Sequence, residues 1–141
     1  MYKQVYIVDD DEISVFLTEV TLAEEKFAMA YQTFLDPQQA LQNLRDSLKG
    51  NSMEQVPDII FLDINMPGMS GWEFMEALAP YQAHLQDKSS IYLLTSSIYP
   101  EEMDRAGKHP LLKGFLQKPL SESTIQQLKE QAYQTDDCSL A

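Results

Sequence analysis

The sequence predicts an α/β fold: a parallel sheet wound with helices on both faces. Apolar positions switch between a strand period and a helical period five times along the chain, which is the mark of repeated strand–helix units. Asp58-Ile-Ile-Phe-Leu62 is an almost continuous apolar run, as expected of a strand covered on both sides. The chain of 141 residues has the size of one domain and can bury a core without disulfides or metal staples.

The elements follow in order. Residues 3–8 read as a strand that Asp9-Asp10-Asp11 stops, and residues 12–25 place Ile13, Phe16, Leu17, Val20 and Ala23 on one helical face, expected to be buried. Phe27 to Phe34 returns to a strand pattern. Asp36-Pro37 then opens a second helix as N-cap and first-turn proline, Ala40, Leu41, Leu44 and Leu48 supply its buried stripe, and Gly50 ends it. Ser47–Gln55 reads as a lengthened loop before the third strand, Asp58–Leu62. Asn65 to Gly71 forms a loop with a glycine available for positive φ at Gly68. A helix from Trp72 turns Phe74 or Met75 and Leu78 inward, and Pro80 kinks or ends it. Ile91–Leu94 is the fourth strand, Pro100–Lys108 a short polar helix, and Leu112–Gln117 the fifth strand. Ser121 caps a last helix through about Tyr133, and residues 135–141 are expected to fray as a disordered tail after a domain spanning 1–134.

Charge narrows the function. Ten Lys and Arg against twenty-two Asp and Glu give a formal charge of −12, so a polyanionic duplex or an anionic bilayer is repelled, and a cation or a basic partner surface is favoured. No apolar run spans a membrane, the N-terminus lacks a signal-peptide pattern, and the lone Cys138 cannot form an internal disulfide. Two histidines without companion cysteines make no zinc site. The expectation is a cytoplasmic protein with neither direct nucleic-acid binding nor membrane insertion.

In a wound parallel sheet, ligands bind beyond the carboxyl ends of the strands. Here those ends deliver Asp9-Asp10-Asp11, Asp63, Thr95 and Lys118. Each group has an ordinary reading alone: strand end and N-cap, turn residue, loop hydroxyl, solvated charge. Together they form an oxygen-rich rim with one ammonium. Crowded carboxylates repel unless a cation is present, and a small all-oxygen set suits Mg²⁺. Lys118 is placed to pair with a carboxylate or with a phosphate oxygen.

Val8-Asp9-Asp10-Asp11, Phe61-Leu62-Asp63-Ile64-Asn65-Met66-Pro67-Gly68-Met69-Ser70-Gly71, Leu94-Thr95-Ser96-Ser97 and Phe115-Leu116-Gln117-Lys118-Pro119 resemble the receiver domains of two-component response regulators, of the stand-alone, single-domain type. The resemblance covers nearly the whole chain. It implies a flavodoxin-like sheet of order 2-1-3-4-5 and a phosphoacceptor at Asp63, charged by a sensor histidine kinase or a histidine phosphotransfer protein. It further implies Mg²⁺ held by Asp10, Asp63, the main-chain carbonyl of Asn65 and, through water, Asp9; Asp11 caps the first helix. Thr95 and Lys118 are implied to engage the phosphate, and Thr95 with Phe115 to switch a protein-binding face toward an unknown downstream target. The family's peptide bond at Lys118-Pro119 is commonly cis, whereas residue statistics alone favour trans. Phe115 lacks the hydroxyl of the frequent tyrosine, and its plain alternative is a core aromatic. Residues 100–114, with Gly107 and His109-Pro110, are irregular for a fourth helix. Trp72 reads as helix-face packing, and His84 and His109 as surface residues.

Two other functions compete. An aspartate-nucleophile phosphohydrolase needs a second acid two residues after its nucleophile, where this chain has Asn65, and its acidic pair comes last in the chain instead of first. A receiver-like interaction module that ignores phosphate is the other.

Overall fold

Five strands lie parallel in the order β2-β1-β3-β4-β5: β1 (Tyr2–Val8), β2 (Ala28–Phe34), β3 (Ile59–Asp63), β4 (Ser90–Thr95) and β5 (Leu112–Gln117). The computed structural model describes residues 2–50, 55–86, 88–96 and 111–130. The expected helix over Pro100–Lys108 and the expected tail lie outside these residues. α1 (Glu12–Glu24) links β1 to β2, and α2 (Pro37–Lys49) links β2 to β3. α3 (Gly71–Ala77), a 3₁₀ turn (Ala79–Tyr81) and the short α4 (Gln82–Leu85) lie between β3 and β4. α5 covers 122–130 and begins where the Ser121 hydroxyl accepts from the Thr124 N–H at 3.2 Å.

Alternation along the central strands divides the core into two layers. Tyr6, Val8, Ile60, Leu62 and Leu93 join Ala40, Leu41 and Leu44 of α2 and Phe74 and Met75 of α3 on one face. Val5, Ile7, Ile59, Phe61 and Leu94 join Val15 and Leu22 of α1 and Ile125 and Leu128 of α5 on the other. All five residues of β3 are buried, as a strand enclosed on both faces requires.

Two sequence expectations change, and an alternative left open at Pro80 is decided. The apolar stripe assigned to the core side of α1 is exposed: Ile13, Phe16, Leu17 and Val20 lie 70, 63, 50 and 37% open to solvent. Ala23 is exposed as well. Val15, Thr18 and Leu22 face inward instead. Ser47, Leu48 and Lys49 belong to α2 and not to a loop, since the helix runs on to its C-cap at Gly50. Pro80 ends α3 and does not kink it: the α-helix stops at Ala77 and the proline starts the 3₁₀ turn, where its missing N–H costs nothing. Phe74 and Met75 are both fully buried, along with Leu78. Among the described residues, no helix is long and apolar enough to cross a membrane.

Candidate functional site

Asp9 follows the last residue of β1, Asp63 ends β3 and Lys118 follows β5, so parallel pairing brings all three to one rim. Asp9, Asp10 and Asp63 each present a carboxylate oxygen within 4.8 Å of the others. Asp9 is 1% exposed and Asp63 7%, whereas Asp10 is open to solvent. Asp11 stands apart: its carboxylate accepts from the Ile13 N–H at 3.0 Å and caps α1. In the triple aspartate, Asp9 and Asp10 thus join the carboxylate cluster and Asp11 is the capping residue.

Lys118 bridges the buried carboxylates. Its Nζ donates to Asp9 Oδ2 at 2.7 Å and lies 3.2 Å from Asp63 Oδ1. Its backbone is held in turn by β4, the Lys118 N–H donating to the Thr95 carbonyl at 2.8 Å. The Lys118–Pro119 peptide bond is cis, as the family resemblance implied and residue statistics alone did not. Thr95 ends β4 beside Asp63, buried at 4% exposure. The Asn65 N–H approaches Asp63 Oδ1 at 3.5 Å.

The loop after Asp63 is fixed by backbone needs. Gly68 takes φ +80°, the left-handed region that glycine enters without steric cost. Gly71 opens α3 so close to β3 that an added Cβ would lie 2.8 Å from Leu93 Cδ2 and 3.0 Å from the Asp63 carbonyl. Between them Ser70 and Glu73 form a reciprocal capping box. The loop therefore returns to the strand end at Asp63 and anchors there.

One rim supports opposite titration behaviour. Burial pushes Asp63 up, the neighbouring Asp9 charge pushes it further, and Lys118 only partly offsets them, so its pKa rises to about 6. Burial also pushes Asp9 up, but hydrogen bonds from Lys118, Ser14 and the Asp11 backbone outweigh it and its pKa falls below the usual carboxylate value. Lys118 is held above its ordinary value because the two carboxylates overcome its own desolvation. With its pKa above the unfolded value, charged Asp63 opposes folding above about pH 6. That opposition disappears as pH falls from about 6 toward the unfolded value near 4.

Ser14 escaped the sequence reading. It lies three residues after the Asp11 cap, in the first turn of α1, and that spacing after a strand-end acid was the available signal. Phe115 is half-buried, its ring 5.9 Å from that of Trp72 in an edge contact. His84 is exposed, and His109 lies outside the described residues.

The donor set fits a hard divalent cation: three carboxylates, no sulfur and no imidazole, on a rim open to solvent through Asp10.

Comparison with known proteins agrees with this arrangement. Residues 5–130 match the response regulator receiver domain family. A two-component response regulator from Cytophaga hutchinsonii superposes with a TM-score of 0.84 at 26% identity, covering 94% of this chain and 98% of its own. The chemotaxis protein CheY4 of Vibrio cholerae gives 0.69 at 26% identity, covering 93% and 98%. The receiver domain of the Arabidopsis thaliana histidine kinase CKI1, solved with Mg²⁺, shares the fold with a TM-score of 0.71 at 22% identity, covering 89% and 91%. No curated protein matches the chain. Sheet order, carboxylate rim and sequence match converge, and the chain belongs to the response regulator receiver domain family, whose members act as signalling switches.

Proposed function

We propose that Asp63 is the phosphoacceptor of a two-component or phosphorelay system. The observation that carries this reading is one carboxylate, Asp63, set within 4.8 Å of two more and 3.2 Å from an ammonium, at the end of the central strand. A phosphoryl group moves from a phosphohistidine of a sensor histidine kinase or histidine phosphotransfer protein: the N–P bond breaks and a bond from an Asp63 carboxylate oxygen to phosphorus forms. Asp10, Asp63, Asp9 and the Asn65 carbonyl would hold Mg²⁺, which supplies charge neutralisation at the phosphoryl oxygens. Lys118 pairs with the product phosphate and Thr95 donates a hydrogen bond to it. The added charge of about −1.5 to −2 draws on both groups. Release of Phe115 from its present packing then alters the surface offered to a downstream protein.

The donor histidine must come within bonding distance of Asp63. The exposed stripe of α1 begins beside the carboxylate rim and gives a donor helix an apolar surface to rest on. A partner with a basic surface complements the acidic residues of α1, Glu12, Glu19 and Glu24.

Intact-mass measurement after incubation with a small phosphodonor tests the reading. A single phosphoryl adduct is expected with Mg²⁺, none with chelator, and none for Asp63→Asn. Lys118→Ala is expected to accept phosphate yet fail to pass the change to a bound partner. A folded wild type that binds Mg²⁺ but takes no phosphate from a small donor or from phosphohistidine would overturn it in favour of the phosphate-independent module.

A further inference from the structure

α2 meets the sheet along two lines of residues. One line, Ala40, Leu41 and Leu44, packs into the core. The other, Asn43, Asp46 and Ser47, borders a cleft whose opposite side is the sheet. There Gln4 and Tyr6, two residues apart in β1, point to the same face, and Gln32 of β2 lies in register with Tyr6. With Gln55 these residues enclose about 490 Å³. That is the size of a small-molecule site, about 300–1,000 Å³, and too large for one bridging water.

The floor of the cleft is polar and unsatisfied. Tyr6 is 2% exposed and Ser47 6%. Neither hydroxyl makes a hydrogen bond among the described residues, and burial, with no bond to oppose it, pushes the Tyr6 hydroxyl above its ordinary pKa. A hydroxyl both donates and accepts, and a buried one left unpaired is costly enough to be rare in native interiors. Two in one cleft mark a place where a ligand supplies the partners.

The walls define that ligand. Gln4 Nε2 donates to Gln32 Oε1 at 3.0 Å, which leaves the Gln32 NH₂ and the Gln4 side-chain carbonyl to bond elsewhere. Asn43 and Gln55, both exposed, bring two more amides, each with donors and an acceptor. Among the described lining residues Asp46 is the one charged group, and Gln42 Nε2 already donates to it at 2.9 Å. With no Lys, Arg or His among them, an anion meets no counter-charge. An ammonium offers donors alone and would strand the amide NH₂ groups. Hydroxyls donate and accept, as the floor and walls do, so a molecule carrying several of them suits the whole lining.

We propose that this cleft binds a neutral polyhydroxylated small molecule, of the size of a monosaccharide or an inositol, anchored on the Tyr6 and Ser47 hydroxyls and held by the amides around them. The carboxylate rim at Asp63 is built from other residues, so this site stands or falls independently of phosphate acceptance.

Proton–nitrogen NMR of the full chain, titrated with D-glucose, D-ribose or myo-inositol, reads binding at the side-chain amides themselves. At least one of the three is expected to saturate with a Kd of about 1 mM or tighter, shifting the NH₂ signals of Gln32, Asn43 and Gln55. Tyr6→Phe and Asn43→Leu are each expected to weaken that binding about tenfold or more. Tyr6→Phe keeps the ring and removes an unpaired hydroxyl, so its urea midpoint is expected at or above the wild-type value. Asn43 is exposed, so Asn43→Leu keeps the fold whatever Tyr6→Phe does. Asp63→Asn is expected to bind as wild type does. The proposal is overturned by the absence of a saturable shift with all three polyols, or by binding that both cleft variants leave unchanged. It is equally overturned if the same amides respond to putrescine and to none of the polyols.

Discussion

α1 and α2 are each 13 residues long, each starts from an aspartate cap and each carries a helical apolar stripe, yet they put those stripes on opposite sides. In α2 the stripe is the core: Ala40, Leu41 and Leu44 are essentially inaccessible. In α1 the more apolar stripe, from Ile13 to Val20, faces solvent, and a thinner line of Val15, Thr18 and Leu22 meets the sheet. The difference lies in what each helix starts from. α1 leaves directly from the carboxylate rim, where the Asp11 cap fixes its first turn and the side chain of Ser14 bonds to Asp9. With Ser14 turned to the rim, the residues one, four and eight places on are the ones laid against the sheet. α2 starts from the Asp36 cap with no such tie, and its rotation is set by burial alone. One amphipathic helix is oriented by its core and the other by its chemistry.

Truncating the covered stripe is the strongest test of this contrast. Leu44→Ala, at a fully buried position facing α3 and the sheet, is expected to cost about 2–5 kcal/mol, read from the midpoint of urea unfolding. A cost below about 0.5 kcal/mol, the range of surface substitutions, would mean that α2 does not pack as described.

The caps sharpen the contrast, because they are alike where the faces differ. Asp11 and Asp36 each accept from the backbone N–H two residues on, at 3.0 and 2.9 Å. Asp11→Ala and Asp36→Ala are therefore each expected to lose about 1 kcal/mol. Alanine keeps the Asp11 N–H that donates to Asp9, so only Asp11→Ala reaches the rim, by loosening the first turn of α1 that carries this bond, and Mg²⁺ titration of the two variants should separate them. Equal Mg²⁺ affinity would show that the start of α1 is not what orients the rim.

This contrast also marks where the sequence was legible. Strand ends were readable because a parallel sheet leaves little choice: a run such as Ile59–Leu62 must be covered, and the next polar residue, Asp63, must lie at its end. Lys118 could be placed by the same logic. The existence of α1 was readable from its cap and period. Its rotation was not, since Val15, Thr18 and Leu22 offer a second stripe of the same helical spacing, and hydrophobicity alone selects the richer one. Choosing correctly required knowing that Ser14 faces Asp9, a contact between elements that no single-helix pattern contains. The cis bond at Pro119 was hidden for a related reason, because local preference favours trans and only the family pattern pointed the other way. The end of α2 at Gly50 was legible from the glycine itself; the loop read from Ser47 onward was not, because Ser47 looks like a loop residue yet lies buried in the last turns of the helix.

The smallest stability effect is the most informative about function. Phe16 is large and aromatic, a residue whose removal from a core costs about 3–5 kcal/mol. At 63% exposure on α1, Phe16→Ser is expected to change stability by no more than about 0.5 kcal/mol, since serine and phenylalanine have similar helix propensities and little packing is lost. An exposed apolar stripe of this kind marks a surface that a partner covers. The same substitution should therefore leave the Mg²⁺-dependent adduct from a small phosphodonor intact, because that reaction needs only the rim. Transfer from a phosphohistidine protein should slow about tenfold or more, as removal of an interface anchor worth over about 1 kcal/mol predicts. Loss of stability on a core scale would mean that α1 is rotated inward and is no different from α2. Unchanged transfer from the protein donor, with unchanged stability, would leave the stripe in place but move the donor's docking surface elsewhere on the molecule.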